Sequence, residues 1–243
     1  MTIEETPARP ELRSDLGPLD QLRAGRMTRR LTQLALGLFL YGASLAMMVR
    51  AGLGLAPWDV LHSGLVRHVP VTLGQMVVLT SFAVLLLWIP LAEVPGLGTL
   101  ANAVAVGLAA DATLAVLSVP EPLWARAGLM LAGVVLNALA TAAYIGSQLG
   151  RGARDGLMTG LARRTGSSLR LVRTGIEASV VLLGLVLGGV LGLGTVLYAL
   201  AIGPLAQLAL PWFTVRLDPV GPSLSGGWRS GRTRRARSSP RRR

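Results

Sequence analysis

Two stretches of this chain are variants of one another. Leu53 to Arg67 reads L-G-L-A-P-W-D-V-L-H-S-G-L-V-R, and Leu149 to Arg163, 96 positions later, reads L-G-R-G-A-R-D-G-L-M-T-G-L-A-R. At that single offset Leu53, Gly54, Asp59, Leu61, Gly64, Leu65 and Arg67 meet Leu149, Gly150, Asp155, Leu157, Gly160, Leu161 and Arg163. The register continues without a gap, bringing Gly96-Leu97-Gly98-Thr99 onto Gly192-Leu193-Gly194-Thr195 and Gly107 onto Gly203. From Gly52 to Gly107, 20 of 56 pairs are identical. A Leu/Gly/Ala-rich composition would give roughly six to eight by chance, so the chain carries an internal duplication.

The duplicated body is apolar. Of 243 residues 51% are hydrophobic and 15% charged, and the mean hydropathy is +0.55. Six segments, at about 31–50, 73–91, 97–118, 126–147, 170–189 and 194–214, approach the roughly 20 residues that a helix needs to cross a bilayer core. The last two are nearly fused, and arginine placement decides the count. With six spans and a cytoplasmic N-terminus, 21 of the 24 arginines lie inside, leaving Arg50, Arg67 and Arg126 outside. Five spans would export the nine arginines from Arg216 to Arg243.

Three spans per repeat is an odd number, so the second copy enters the membrane from the opposite side. The expected fold is all-α membrane: six transmembrane helices as two inverted three-helix repeats, with short interfacial or re-entrant helices in the Asp-containing loops. The organisation read from the chain is a disordered cytosolic tail (1–26), repeat 1 (27–118), a connector (119–125), repeat 2 (126–215) and a disordered Arg-rich cytosolic tail (216–243). Arg29-Arg30 before the first span reads as a positive-inside anchor rather than a twin-arginine export signal, since further spans follow. The localisation expected is the bacterial cytoplasmic membrane, multi-pass, with both termini cytoplasmic.

Several chemistries are excluded. The chain has no Cys, and all 24 of its Lys+Arg residues are Arg, which removes thiolate and Schiff-base chemistry. His62 and His68 lack further matched metal ligands on one helical face. His62 beside Ser63 makes no hydrolase, because adjacent helical residues do not face one another and no nucleophile elbow exists. No enzyme activity, metal or cofactor is expected. The run Trp228 to Arg243 should seek anionic lipid headgroups; no fold supports nucleic-acid binding.

The candidate binding residues are Gly54, Asp59, Asp111, Gly150, Asp155, Arg173 and Glu177. Asp59 and Asp155 each open a short helix. Val60, Leu61, Gly64 and Leu65 would form one apolar face of the first, with His62, Ser63 and Arg67 on the other. Matched short segments broken by Gly and Pro point to a transporter site, and a pair of capping aspartates is the plainer alternative. Glu177 follows Arg173 by one helical turn, so the two can pair. Acids at membrane depth usually face a cavity or a partner. A neutral isostere at Glu177 is accordingly expected to harm transport more than one at Asp59, where loss of a cap costs about 1 kcal/mol. Asn102, Asn137 and Gln148 either line the same interior or bond across helices.

At these residues the chain resembles the YczE/YitT-type bacterial integral membrane proteins, most closely the YczE branch. The resemblance rests on G-L-G-L-A-P-W-D-V-L-H-S-G-L at 52–65, G-R-G-A-R-D-G-L-M-T-G-L-A-R-R-T-G at 150–166 and V-R-T-G-I-E at 172–177. L-G-G-V-L-G-L-G-T at 187–195 and I-G-P at 202–204 add to it. It covers the body, about 30–215, and implies a multispan inner-membrane protein without implying a reaction or substrate. Two functions fit: a secondary transporter or permease-like carrier for a small solute, anionic or not, and a non-transporting scaffold or accessory protein for another membrane or biosynthetic system. A polar mid-membrane cavity containing Glu177 and Asp111 would favour the first.

Overall fold

Each apolar segment is a helix, within four residues of its expected bounds. The computed structural model describes residues 17–217; of the expected tails (1–26 and 216–243), residues 1–16 and 218–243, with the whole lipid-seeking run from Trp228, lie outside the described residues. In chain order the helices are α1 (Pro18–Arg23), α2 (Met27–Ala51), α3 (Pro57–Leu65), α4 (Leu73–Leu91), α5 (Leu97–Val116), α6 (Leu123–Gly146), α7 (Ala153–Thr165), α8 (Leu169–Val186) and α9 (Leu193–Phe213). No strand occurs among the described residues. Local chemistry sets the ends. Thr72 and Gln75 form a reciprocal capping box on α4, Pro57 opens α3, and Gly52 closes α2 at a φ of 62°.

Among the described residues five helices, α2, α4, α5, α6 and α9, are long and apolar enough to cross a membrane. The remaining long helix, α8, has 18 residues and carries Arg170, Arg173 and Glu177. Large apolar side chains project outward on α4 (Leu86, Ile89), α8 (Val186) and α9 (Leu193, Trp212), each at least 65% exposed. A water-soluble monomer rarely offers so continuous an apolar exterior, whereas lipid is its natural solvent.

The packing repeats the sequence offset. Arg30, near the start of α2, donates from Nε to Ser147 O (2.8 Å) and from a terminal nitrogen to Gln148 O (2.7 Å). Arg126, near the start of α6, donates from Nε to Ala51 O (2.7 Å) and to Gly52 O (3.1 Å). Donor and acceptors are displaced by 96 in both cases. Each guanidinium satisfies carbonyls that a helix C-terminus leaves without partners. Because each helix begins where the other ends, α2 and α6 run antiparallel.

Two apolar clusters show the same exchange. Leu34, Leu38, Val106 and Tyr144 belong to one; Met130, Val134, Ile202 and Met48 belong to the other. The loops trade places too. Leu53 O accepts from Gly194 N at 2.8 Å, and Leu149 O accepts from Gly98 N at 2.7 Å. Gly54 (φ 123°) and Gly150 (φ 135°) lie so close to the facing helix starts that an added Cβ would sit 2.8 Å from Thr195 Oγ1 or Thr99 Oγ1. Helix α3 packs on α8, and α7 packs on α4.

Three expectations are corrected. Within the stretch expected as an N-terminal tail, residues 18–23 form α1, Ala24 is fully buried, and Arg30 also donates to Gln21 O. The connector is shifted toward the N-terminus, to residues 117–122, since α5 ends at Val116 and α6 begins at Leu123. Helix α3 is not amphipathic in the way its sequence suggested. Every residue from Pro57 to His62 is buried, because the helix is enclosed by α4 and α8.

Candidate functional site

A cavity of about 230 Å³ lies where α2, α4, α5, α6, α7, α8 and α9 converge. Its wall includes three pairs of positions 96 apart: Val77 and Arg173, Asn102 and Tyr198, Val106 and Ile202. It therefore lies between the two halves rather than within either. Tyr41, Tyr144 and Tyr198 supply aromatic surface with polar tips, and Asn102, Ser81, Thr141 and Gln207 supply neutral polar groups. Tyr41 and Tyr144 meet edge to face, their centroids 6.1 Å apart.

The charged wall comes from the first turn of α7 and from α8. Asp155 accepts a hydrogen bond from the Tyr144 hydroxyl at 2.7 Å. Arg154 precedes it and points elsewhere, since neighbouring helical residues diverge. Its guanidinium lies 5.0 Å from the centroid of the Trp58 ring, a cation–π arrangement. Arg173 stands at the cavity mouth with its side chain half exposed, and pairs with Glu177 at 2.9 Å, as the i, i+4 spacing predicts.

The expected site residues divide. Asp155 and Arg173 line the cavity; Gly54, Asp59, Asp111, Gly150 and Glu177 do not. Gly54 and Gly150 hold the crossed loops. Asp111 accepts from Gly74 N (2.8 Å) and from the Thr72 hydroxyl, tying α5 to the start of α4. Asp59, at 3% exposure, is not a cap: its Oδ1 lies 3.0 Å from His62 Nδ1, and His62 Nε2 lies 2.8 Å from Thr80 Oγ1. A carboxylate only accepts, which puts the Nδ1 proton toward Asp59. Nε2 of a neutral ring is then an acceptor, and it shares the single Thr80 hydroxyl proton with Met76 O (2.9 Å). Helical spacing alone places His62 beside Asp59, three residues on; Thr80 comes from another helix and has no local signature.

Residues 28–211 match the profile of a family described as a family of unknown function (DUF6198). Over 177 residues the chain is 41% identical to an uncharacterized protein of Haemophilus influenzae, covering 73% of this chain and 81% of the relative. Over 172 residues it is 30% identical to the uncharacterized membrane protein YczE of Bacillus subtilis, covering 70% and 80%. The chain belongs to the YczE-type membrane protein family. No solved structure matches it.

The family match spans the helical body from α2 almost to the end of α9, and so takes in the whole cavity wall. Within this YczE-type body the sequence reading missed Arg154 and the three tyrosines. Arg154 sits opposite Trp58 in the duplication, so nothing about its alignment marked it as a site residue. The tyrosines lie in ordinary apolar spans. Asn137 is buried in a chain of bonds, donating to Ser44 Oγ (2.8 Å) and accepting from Tyr198 (3.0 Å), so it joins helices instead of lining the cavity. Gln148 donates to Val215 O at 2.7 Å and secures the end of the body. Asn102 does line the cavity.

Proposed function

We propose that this membrane protein is a secondary carrier for a small solute, built from two inverted three-helix repeats that cross the cytoplasmic membrane six times. The carrying observation is the polar cavity between the two halves, walled by repeat-related positions from both. Carriers of inverted-repeat design hold substrate near the bilayer midplane at the repeat interface, beside short or broken helices. Helices α3 and α7 are such elements, in matched positions. The antiparallel α2 and α6, with their exchanged arginine caps, support the inversion. Helix α8 serves as the sixth span despite its charges, since Arg173 and Glu177 pair with one another.

This reading has both termini in the cytoplasm and assigns no catalytic chemistry or cofactor. It takes the arginine-rich C-terminal tail to anionic lipid headgroups. The purified protein, reconstituted in liposomes, should accumulate at least one member of a panel of small labelled solutes, and a pH gradient tests coupling to protons. Uptake no greater than in empty liposomes for every solute, with or without the gradient, would support the scaffold instead. A cytoplasm-dependent reporter fused after Arg243 should be active, and activity of a periplasm-dependent one there would overturn six spans.

A further inference from the structure

Among the charged side chains of the cavity wall, Arg154 is the one with no ion pair or hydrogen bond among the described residues. Arg173 has Glu177, and Asp155 has the Tyr144 hydroxyl. Arg154 is only partly exposed, and its recorded contact is the Trp58 ring. That ring adds a second unsatisfied group. Trp58 is 8% exposed, and its Nε1–H is buried without an acceptor among the described residues. Arg154 in the cavity wall and the Trp58 Nε1–H beside it are thus two donor groups without acceptors, one stacking distance apart.

Buried donors without acceptors are rare in native proteins, and a guanidinium with no hydrogen bond in a cavity wall is free to bind an anion. We infer that the cavity binds a small solute through a carboxylate, with Arg154 as its counter-charge. Guanidinium presents paired N–H donors that match the two oxygens of a carboxylate, and the first turn of α7, which also faces the cavity, favours negative charge. Asp155, one residue along, disfavours a multiply charged anion near Arg154. A monocarboxylate therefore fits, whether its remaining charge is zero, as in lactate, or one positive, as in an amino acid such as alanine. The inference rests on the carrier reading for its physiological meaning, but binding is measurable without transport.

The test is thermal unfolding of the full chain in detergent, with sodium lactate, L-alanine, sodium phosphate, choline chloride or sodium chloride at equal ionic strength. Lactate or alanine at saturation should raise the midpoint by roughly 3–10 °C over sodium chloride. Arg154→Gln should abolish that rise, and Arg154→Lys should retain part of it. A second measurement on the unaltered chain guards against a variant that does not fold. Phenylglyoxal modification of Arg154, read by mass spectrometry, should slow at least fivefold with the same carboxylate and not with choline.

No rise and no protection with either carboxylate overturns the inference, as does a rise that phosphate or choline matches or that survives Arg154→Gln. Stabilisation by lactate with no uptake of any solute would keep the carboxylate site and remove the carrier. Uptake of a cationic solute unaffected by Arg154→Gln would do the reverse.

Discussion

Arg154 lies over the ring of Trp58, and the two residues occupy the same position in the two halves of the chain, 96 apart. A position that contacts its own duplicate marks where the halves meet. Trp58→Phe keeps an aromatic face and should accumulate in the membrane close to wild type. Trp58→Leu loses the cation–π contact, about 0.5–2 kcal/mol, and should lower the thermal midpoint in detergent. Equal midpoints for the two variants would show that the stack contributes nothing.

The exchanged helix caps give a graded expectation. Arg30→Ala removes a fully buried guanidinium that serves several carbonyls, and should cost more than about 2 kcal/mol. Arg126→Ala removes the equivalent, more exposed group and should cost less. Membrane abundance and midpoint of the single variants check the order; a milder effect at Arg30 contradicts it.

Glycine at the crossed loops is required twice over, by positive φ and by close approach. Gly54→Ala and Gly150→Ala should each destabilise by more than about 1 kcal/mol. Gly128→Ala, where an added methyl meets nothing within 4 Å, should be neutral or better. Normal thermal stability of either loop variant would show that the loop docks differently.

Asp59 and His62 should behave as a buried pair. His62→Ala leaves Asp59 without its donor and should cost roughly 2–3 kcal/mol, whereas Asp59→Asn keeps an acceptor for Nδ1–H and should cost less. A double-mutant cycle on the midpoint should show coupling; additive losses would mean that the contact is not energetically formed.

Arg173 and Glu177 differ in what each faces. Arg173→Gln alters the cavity wall and Glu177→Gln does not, so uptake should fall further for the arginine at equal membrane abundance. Glu177→Gln leaves Arg173 unpaired, and Arg173→Gln with Glu177→Gln should restore abundance lost in that single variant. Restoration of uptake as well would show that the pair is purely structural.

The order expected from the chain alone, Glu177 ahead of Asp59, rested on depth in a segment. Glu177 lies a turn into an apolar segment and seemed the costlier charge, but its carboxylate is partly exposed, pairs with Arg173 and does not line the cavity. Asp59 looked like a loop cap because a nine-residue helix after a proline has a visible start. Its enclosure by α4 and α8 has no local signature. Glu93, which drew no attention, pairs with Arg163 at 3.1 Å and joins α4 to α7.

By itself the sequence determined the helices and the duplication. These depend on hydropathy over about 20 residues, on glycine and proline at element ends, and on a fixed offset, all of which are local or periodic. Tertiary structure decided which polar residues share a space. Arg154 meets Trp58, His62 meets Thr80, and Tyr144 meets Asp155 across α6 and α7, because helix packing sets side-chain directions that hydropathy does not encode. An apolar span accepts a tyrosine facing lipid, a neighbour or a cavity at similar hydropathic cost. Only the packing of seven helices around one space distinguishes the three.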